Sequence, residues 1–237
     1  MYVPDLYRET DPATTLALIQ RNPLAMLVTT GEPVPNVTHL PAIPDPEAPA
    51  PVGLAGTTLL GHLNRANPHW RALAGPTPAK LVFTGPHGYV SPTVYETEVA
   101  APTWDFTAVH LEGTLVPSED LEEILRVVGH TVAAYEREFG CAWDPAASLE
   151  YFRTLAPGVG AFRFEVERAD TMLKLSQEKP VETRRQVVSW FAGSPCGATR
   201  DLAQLMCAYD PALAGESGPE PCPKREQKRE TGEAVGA

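Results

Sequence analysis

The chain has 237 residues, 43% of them hydrophobic, and carries a formal net charge of −11. That length and composition allow a substantial buried core within one domain. The acidic balance argues against a sequence-independent grip on nucleic acid, which rests on Lys and Arg against phosphate, and no apolar run reaches the length of a membrane span.

The N-terminus lacks a basic region followed by an apolar stretch, so no secretory signal is expected. Cys141, Cys196, Cys207 and Cys222 have no C-x-x-C spacing and read as reduced thiols. Together these place the expected protein in the cytoplasm.

Asp11-Pro12 opens a helix, with Asp at the N-cap and Pro at the first helical position, and Pro23 ends it. Leu24–Thr30 reads as a buried strand and Asn36–Leu40 as a second, carrying His39. The segment from Pro33 to Pro51 holds seven prolines and reads as irregular, too Pro-rich for a central strand. Thr57–Leu63 is a third strand with His62 at its end, and a short helix follows to about Leu73, with His69 on its exposed side. Leu81–Thr84 and Ala108–Gly113 are two further strands. Gly85-Pro86 is expected to end the first, leaving a long polar, aromatic loop between them. A loop of that length holding His87, Tyr89, Tyr95, Glu96, Trp104 and Asp105 suggests a binding segment.

Ser118 is expected to cap a helix whose apolar stripe is Leu121, Leu125, Val128, Val132, Tyr135 and Phe139, closed by Gly140. Pro145–Leu155 reads as a helix. Val159–Glu167 reads as a strand with Phe162, Phe164 and Val166 inward and Arg163, Glu165 and Glu167 towards solvent. Pro180–Phe191 and Ala198–Tyr209 read as helices, the second with Leu202, Leu205, Met206 and Tyr209 on one packing or dimer face. Residues 1–192 are expected to form the cofactor-binding domain, 193–210 a C-terminal helix, and 211–237, with few apolar anchors and mixed charge, a disordered tail. Short strands with interposed helices and no β-α-β alternation indicate an α+β protein built on a small barrel.

Five separated motifs carry a family resemblance. They are Met1-Tyr2-Val3-Pro4; Gly61-His62 with Ala66-Asn67-Pro68 and Trp70; Gly85-Pro86-His87 with Tyr89-Val90-Ser91-Pro92; Pro102-Thr103-Trp104 with Ala108-Val109-His110 and Gly113; and Leu175-Ser176-Gln177. In order and spacing they resemble the PaiB-like proteins, described as FMN-binding negative transcriptional regulators. The resemblance implies a flavin-reductase-like (PNPOx-like) split β-barrel with peripheral helices, in a homodimer with cofactor sites at the subunit interface. The chain departs from that pattern where Trp-Asn-Tyr is replaced by Trp104-Asp105-Phe106, where a Trp is replaced by Val94 before Tyr95, and where Asn-Arg is replaced by Glu178-Lys179.

With these departures the chain is similar to the piperazate synthases, PaiB-like proteins of peptide natural-product biosynthesis that use haem b in place of FMN. The implied reaction converts L-N5-hydroxyornithine to L-piperazate with loss of water: the N–O bond is polarised at iron, a general acid protonates the departing hydroxyl, and the α-amine attacks N5. His39, His62, His87 and His110 match family histidines. His62 is the preferred axial ligand, as it follows a Gly at a strand end and is expected to face the loop motifs; His110 and His39 are second choices. Arg65 and Lys174 are candidates for a carboxylate, Glu96, Asp105 and Glu178 for the base, and Tyr89 and Tyr95 for donors to the leaving oxygen or a haem propionate. Trp104 belongs to the cofactor-bearing motif. The alternative implied function is an FMN-binding regulator or flavin oxidoreductase on the same fold.

Overall fold

The computed structural model describes residues 1–48, 53–95, 99–141 and 143–214. In chain order the elements are β1 (Arg8–Glu9), α1 (Pro12–Arg21), β2 (Leu24–Thr29), β3 (Asn36–Pro44), β4 (Thr58–Asn64), α2 (Pro68–Arg71), β5 (Thr77–Val90), β6 (Thr103–Ser118), α3 (Leu121–Glu138), α4 (Leu149–Leu155), β7 (Val159–Lys174), α5 (Val181–Ala192) and α6 (Gly197–Tyr209). The sheet order is β1-β7-β4-β3-β2-β5-β6, and β6 pairs back onto β7. Six antiparallel strands therefore close a ring, and β1 is appended to the outside of β7. This is an α+β split barrel with peripheral helices.

Side-chain alternation decides what each strand presents to the interior. On β6 the buried residues are Asp105, Thr107, Val109, Leu111 and Leu115, while Trp104, Phe106, His110 and Glu112 point outwards. Leu27, Leu40, Leu59, Leu81, Phe83, Phe162 and Phe164 fill the ring from the other strands. Each such side chain contributes about 1.5–3 kcal/mol when withdrawn from water. A second apolar layer lies outside the ring, where Ile124 and Val127 of α3 cover Ile43, Leu60 and Ala161.

Several expectations are corrected by this geometry. Gly85-Pro86 does not end a strand: β5 runs on to Val90, and the two residues form a β-bulge opposite Thr107. A Cβ on Gly85 would collide with the Thr107 hydroxyl, so the bulge requires glycine there. The Pro-rich segment also contributes a ring strand. β3 pairs with β2 only as far as Pro41 and with β4 only from Ala42 to Pro44, so both prolines sit where one flank of the strand is unpaired. Asp120, not Ser118, caps α3, accepting from the Glu123 amide at 2.9 Å. The α3 stripe is rotated, with Ile124, Val127 and Thr131 buried and Leu121 and Phe139 exposed. His69 is buried, with its two ring nitrogens 2.9 Å from Thr29 Oγ1 and 2.9 Å from Thr38 Oγ1.

β7 continues beyond Glu167 to Lys174 through a register shift opposite Glu112/Gly113. The shift changes which residues face inwards, from Phe162, Phe164 and Val166 to Thr171 and Leu173. α6 is a packing helix: Leu202 and Met206 are buried, and it lies against α5 and β5.

Candidate functional site

The bulge on β5 delivers His87 and Tyr89 to the outer face of the ring, opposite Phe106 and Trp104 of β6. The His87 and Trp104 rings lie 5.5 Å apart, and Tyr89 meets Trp104 edge-on at 6.1 Å. Trp104 is 52% exposed and Tyr89 47%, so this is an open aromatic platform, not a core cluster. It is held from behind by α6, where the Thr199 hydroxyl donates to the His87 carbonyl at 3.2 Å. Phe191 packs against Gly88 so closely that a Cβ there would sit 2.8 Å from the ring. Lys174, paired across β6 with Phe106, donates to the Trp104 carbonyl at 2.9 Å and to the Thr103 hydroxyl.

Directly inside this platform lies a buried polar cluster. Asp105 points into the ring and is fully buried. Its Oδ2 accepts from the Ser176 hydroxyl at 2.6 Å, and its Oδ1 has no partner among the described residues. Burial pushes the Asp105 carboxyl up to about 6; the bond from Ser176 and the charge of Lys174 oppose the shift, and Glu178 adds to it. Ser176 is itself fully buried, and its backbone is in the left-handed region at φ 59°. Tyr95, on the 3-10 turn Pro92–Tyr95, has a buried hydroxyl without a hydrogen-bond partner. Burial and the neighbouring Asp105 and Glu178 raise its pKa. Tyr7 closes the cluster from the N-terminal segment, donating to Glu178 at 3.1 Å, and burial with that carboxylate pushes its phenol up to about 12. Lys179 lies over the Tyr95 ring at 4.8 Å.

The histidines are distributed differently. His62 sits on β4 opposite Ala161 of β7, half-buried, with Nδ1 buried and without a partner. Desolvation lowers its pKa, so it is a neutral imidazole at pH 7. His110 has the same properties on the outer face of β6; burial is the main cause, and the N-terminal ammonium and Lys80 add to it. His39 is exposed and belongs to the same cross-strand row as His110, through Met26 and Val82. Arg65 is engaged with Glu119 at 2.5 Å and the Pro157 carbonyl at 3.3 Å.

The structure thus joins Tyr95, Asp105, Lys174 and Glu178 beneath the platform of Tyr89 and Trp104. His62 and Arg65 are not part of that group, and His62 does not face the loop motifs. Ala161 and Lys174 are 13 residues apart on β7, roughly 40 Å of strand path. Glu96 lies outside the described residues. Tyr7 carried no signal in the sequence beyond proximity to an N-terminal motif, and the role of Ser176 needed its backbone angle.

A family model described as "Putative FMN-binding domain" matches residues 1–168. The chain belongs to this FMN-binding-domain family. Across 214 residues it is 27% identical to the protease synthase and sporulation protein PAI 2 of Bacillus subtilis, covering 87% of this chain and 96% of that one. It is 25% identical over 241 residues to an uncharacterized protein, AN0679, of Emericella nidulans, again with 87% and 96% covered. Among solved structures, the conserved hypothetical protein Rv2991 of Mycobacterium tuberculosis superposes with a TM-score of 0.51 at 12% identity, covering 76% of this chain and 94% of that one. That last likeness bears on the fold alone.

In this family member, the exposed Trp104 ring, with His87 and Tyr89 inclined to it at 45° and 63°, offers an apolar face for a conjugated ring, with polar groups at its edge. The cluster beneath it is rich in carboxyls. Asp105 and Glu178 both act on Tyr95, while Lys174 is held by backbone and hydroxyl acceptors. Two cations, Lys174 and Lys179, stand beside these two carboxyls. Among the described residues no group of three or more His, Cys, Asp or Glu is gathered to hold a metal ion. A neutral, partly accessible histidine such as His62 or His110 has a ring nitrogen that could bind a metal ion.

Proposed function

We propose that this protein is a haem-dependent enzyme that closes an N–N bond, converting L-N5-hydroxyornithine to L-piperazate and water, as a homodimer. One observation carries the reading. Of the positions at which the chain departs from the FMN-type pattern, Asp105, Glu178 and Lys179 gather around Ser176 and Tyr95, next to Val94, while Phe106 points to the outer face. Two neutral asparagines of the pattern become the carboxyls Asp105 and Glu178, while its arginine becomes Lys179 and stays cationic. That change disfavours the phosphate of a flavin nucleotide and favours the amines of a diamino acid.

Haem fits the residues present: His62, with its unpartnered ring nitrogen, would hold the iron, and Tyr89 and Trp104 would lie against the ring. When bound, haem supplies a Lewis-acidic iron that weakens the N–O bond. The chain's own groups do the rest. Asp105, ionised above about pH 6, takes a proton from the α-ammonium so that the amine can attack. Tyr95 donates towards the departing hydroxyl. Lys174 is placed for the substrate carboxylate once its bond to the Trp104 carbonyl is exchanged. Bringing the two nitrogens together in an enclosed site supplies orientation. The N–O bond breaks and the N–N bond forms within one molecule, and one water leaves, so no external reductant enters the balance.

Because His62 and Asp105 lie at opposite ends of β7, the proposed site draws them from the two protomers. The test is to incubate haem-loaded protein with N5-hydroxyornithine under anaerobic conditions and follow the product by mass spectrometry. A cyclic product lighter by one water supports the proposal; unchanged substrate with fully haem-loaded dimer overturns it.

A further inference from the structure

Asp105 is a carboxyl with two oxygens in a fully enclosed setting, and only one of them is spoken for. The Ser176 hydroxyl donates to Oδ2 at 2.6 Å, while Oδ1 has no partner among the described residues. What fixes this choice is the backbone of Ser176. Its φ of 59° lies in the left-handed region, which a non-glycine residue enters at a cost of about 1–2 kcal/mol. The flanking chain enforces that angle. Gln177 turns back along β7, accepting from the Leu175 amide at 2.6 Å and donating to the Leu173 carbonyl. The turn closes with the Lys179 amide donating to the Ser176 carbonyl at 3.0 Å. With the turn held in this way, the Ser176 hydroxyl donates to Oδ2 of Asp105.

We propose that Ser176 is the positioning residue of the site: it clamps Oδ2 of Asp105 and so reserves Oδ1 as the acceptor for an N–H or O–H of the substrate. The proposal rests on the reading of Asp105 as the base. A carboxylate free to rotate in a buried pocket would present either oxygen and would take up a proton more readily. The clamp fixes the acceptor's direction and keeps the carboxylate ionised closer to neutral pH. The charged and titratable groups facing the pair are Lys174 from β7, Glu178 from the turn after β7, Tyr95 from the 3-10 turn before β6, and Tyr7 from the N-terminal segment. Of these, only Lys174 favours the ionised carboxyl, and it is committed to Thr103 and the Trp104 carbonyl. Among the groups that favour the ionised carboxyl, the Ser176 hydroxyl acts most strongly, ahead of Lys174 and of the Ser176 backbone.

The test uses Ser176→Ala and Ser176→Gly in the full chain. Glycine accepts the left-handed angle without strain, so its variant keeps the turn while losing the hydroxyl. The first readout needs neither substrate nor cofactor: the titration of the Asp105 carboxyl by carbon-13 NMR, assigned by its absence in Asp105→Asn. Both serine variants should titrate higher than the wild-type protein, by roughly one unit or more. The second readout is turnover. Both variants should lose kcat at pH 7, on the order of 10- to 100-fold, with KM little changed and the rising limb of the pH profile moved to higher pH. An unchanged carboxyl titration in the glycine variant overturns the assignment, as does a loss confined to the alanine variant, which would indicate backbone strain alone. Failure of the wild-type protein to turn over N5-hydroxyornithine would overturn the base reading of Asp105; the carboxyl titration decides the Ser176–Asp105 pairing separately.

Discussion

His62 and Asp105 are attached to opposite ends of one strand. His62 pairs with Ala161 near the start of β7, and Phe106, next to Asp105, pairs with Lys174 at its end. An isolated protomer therefore holds a histidine-bearing face and a carboxyl cluster that do not meet. If the site is completed by a second chain, mixing inactive His62→Ala with inactive Asp105→Asn protein and allowing exchange should restore up to about a quarter of wild-type turnover, from mixed dimers with one intact site. No recovery would place the site within one chain.

The buried Asp105 carboxyl should mark the pH dependence of stability as well as of turnover. Its folded pKa, about 6, lies above the ordinary 3.8, so the folded state holds the proton more tightly than the unfolded one. Its contribution is present below pH 4 and is lost as pH rises to about 6, on the order of 3 kcal/mol in all. Asp105→Asn should remove this loss, so that its urea midpoint exceeds that of the wild-type protein more at pH 7 than at pH 4. Turnover has the opposite sign and rises through pH 6 as the base ionises. Equal pH slopes of stability for the two proteins would show that Asp105 titrates normally.

Glu123 should behave in the reverse way. Arg126 and Arg163 hold its carboxyl down to about 2, at 2.8 Å each. It contributes stability that is full above pH 4.5 and is lost as pH falls towards 2. Arg163 is about half exposed, so solvent screens that half of the network. Glu123→Gln should cost about 1–2 kcal/mol at pH 7 and little at pH 2.5, read from urea unfolding.

Phe191 and Trp104 separate scaffold from platform. Phe191 is fully buried against Gly88, and Phe191→Ala should cost about 3–5 kcal/mol in unfolding free energy and loosen α6 from β5. Trp104 is half exposed, so Trp104→Ala should leave the urea midpoint within about 0.5 kcal/mol while weakening cofactor uptake. A large stability loss in Trp104→Ala would mean that the ring is structural.

Much of this was legible in the residues. Helix α1 was announced by Asp11-Pro12, and the inward row Phe162, Phe164 and Val166 by strict alternation. Asp105 and Glu178 stand out in the sequence as departures from a family pattern, as does Val94 beside Tyr95. What was not legible depended on long-range pairing. Gly85-Pro86 looks like a strand end because its turn chemistry is local, whereas the β6 partner that converts it to a bulge is 21 residues away at Thr107. Pro41 and Pro44 look incompatible with a ring strand until the switch of partner between β2 and β4 is known. His69 looks exposed on a short helix, yet Thr29 and Thr38 from two strands enclose it. His62 looks like a neighbour of the loop motifs because it follows a Gly near a strand end and matches a family histidine, and the strand register separates them.

The visible absorption spectrum of the purified protein, expressed with haem precursor and flavin both available, tests the central claim most directly. A sharp Soret band that shifts on adding N5-hydroxyornithine, and that weakens in His62→Ala but not in His39→Ala, is the predicted result. The two-banded yellow spectrum of a bound flavin, with no Soret band, would contradict the account and leave the FMN-binding protein in its place.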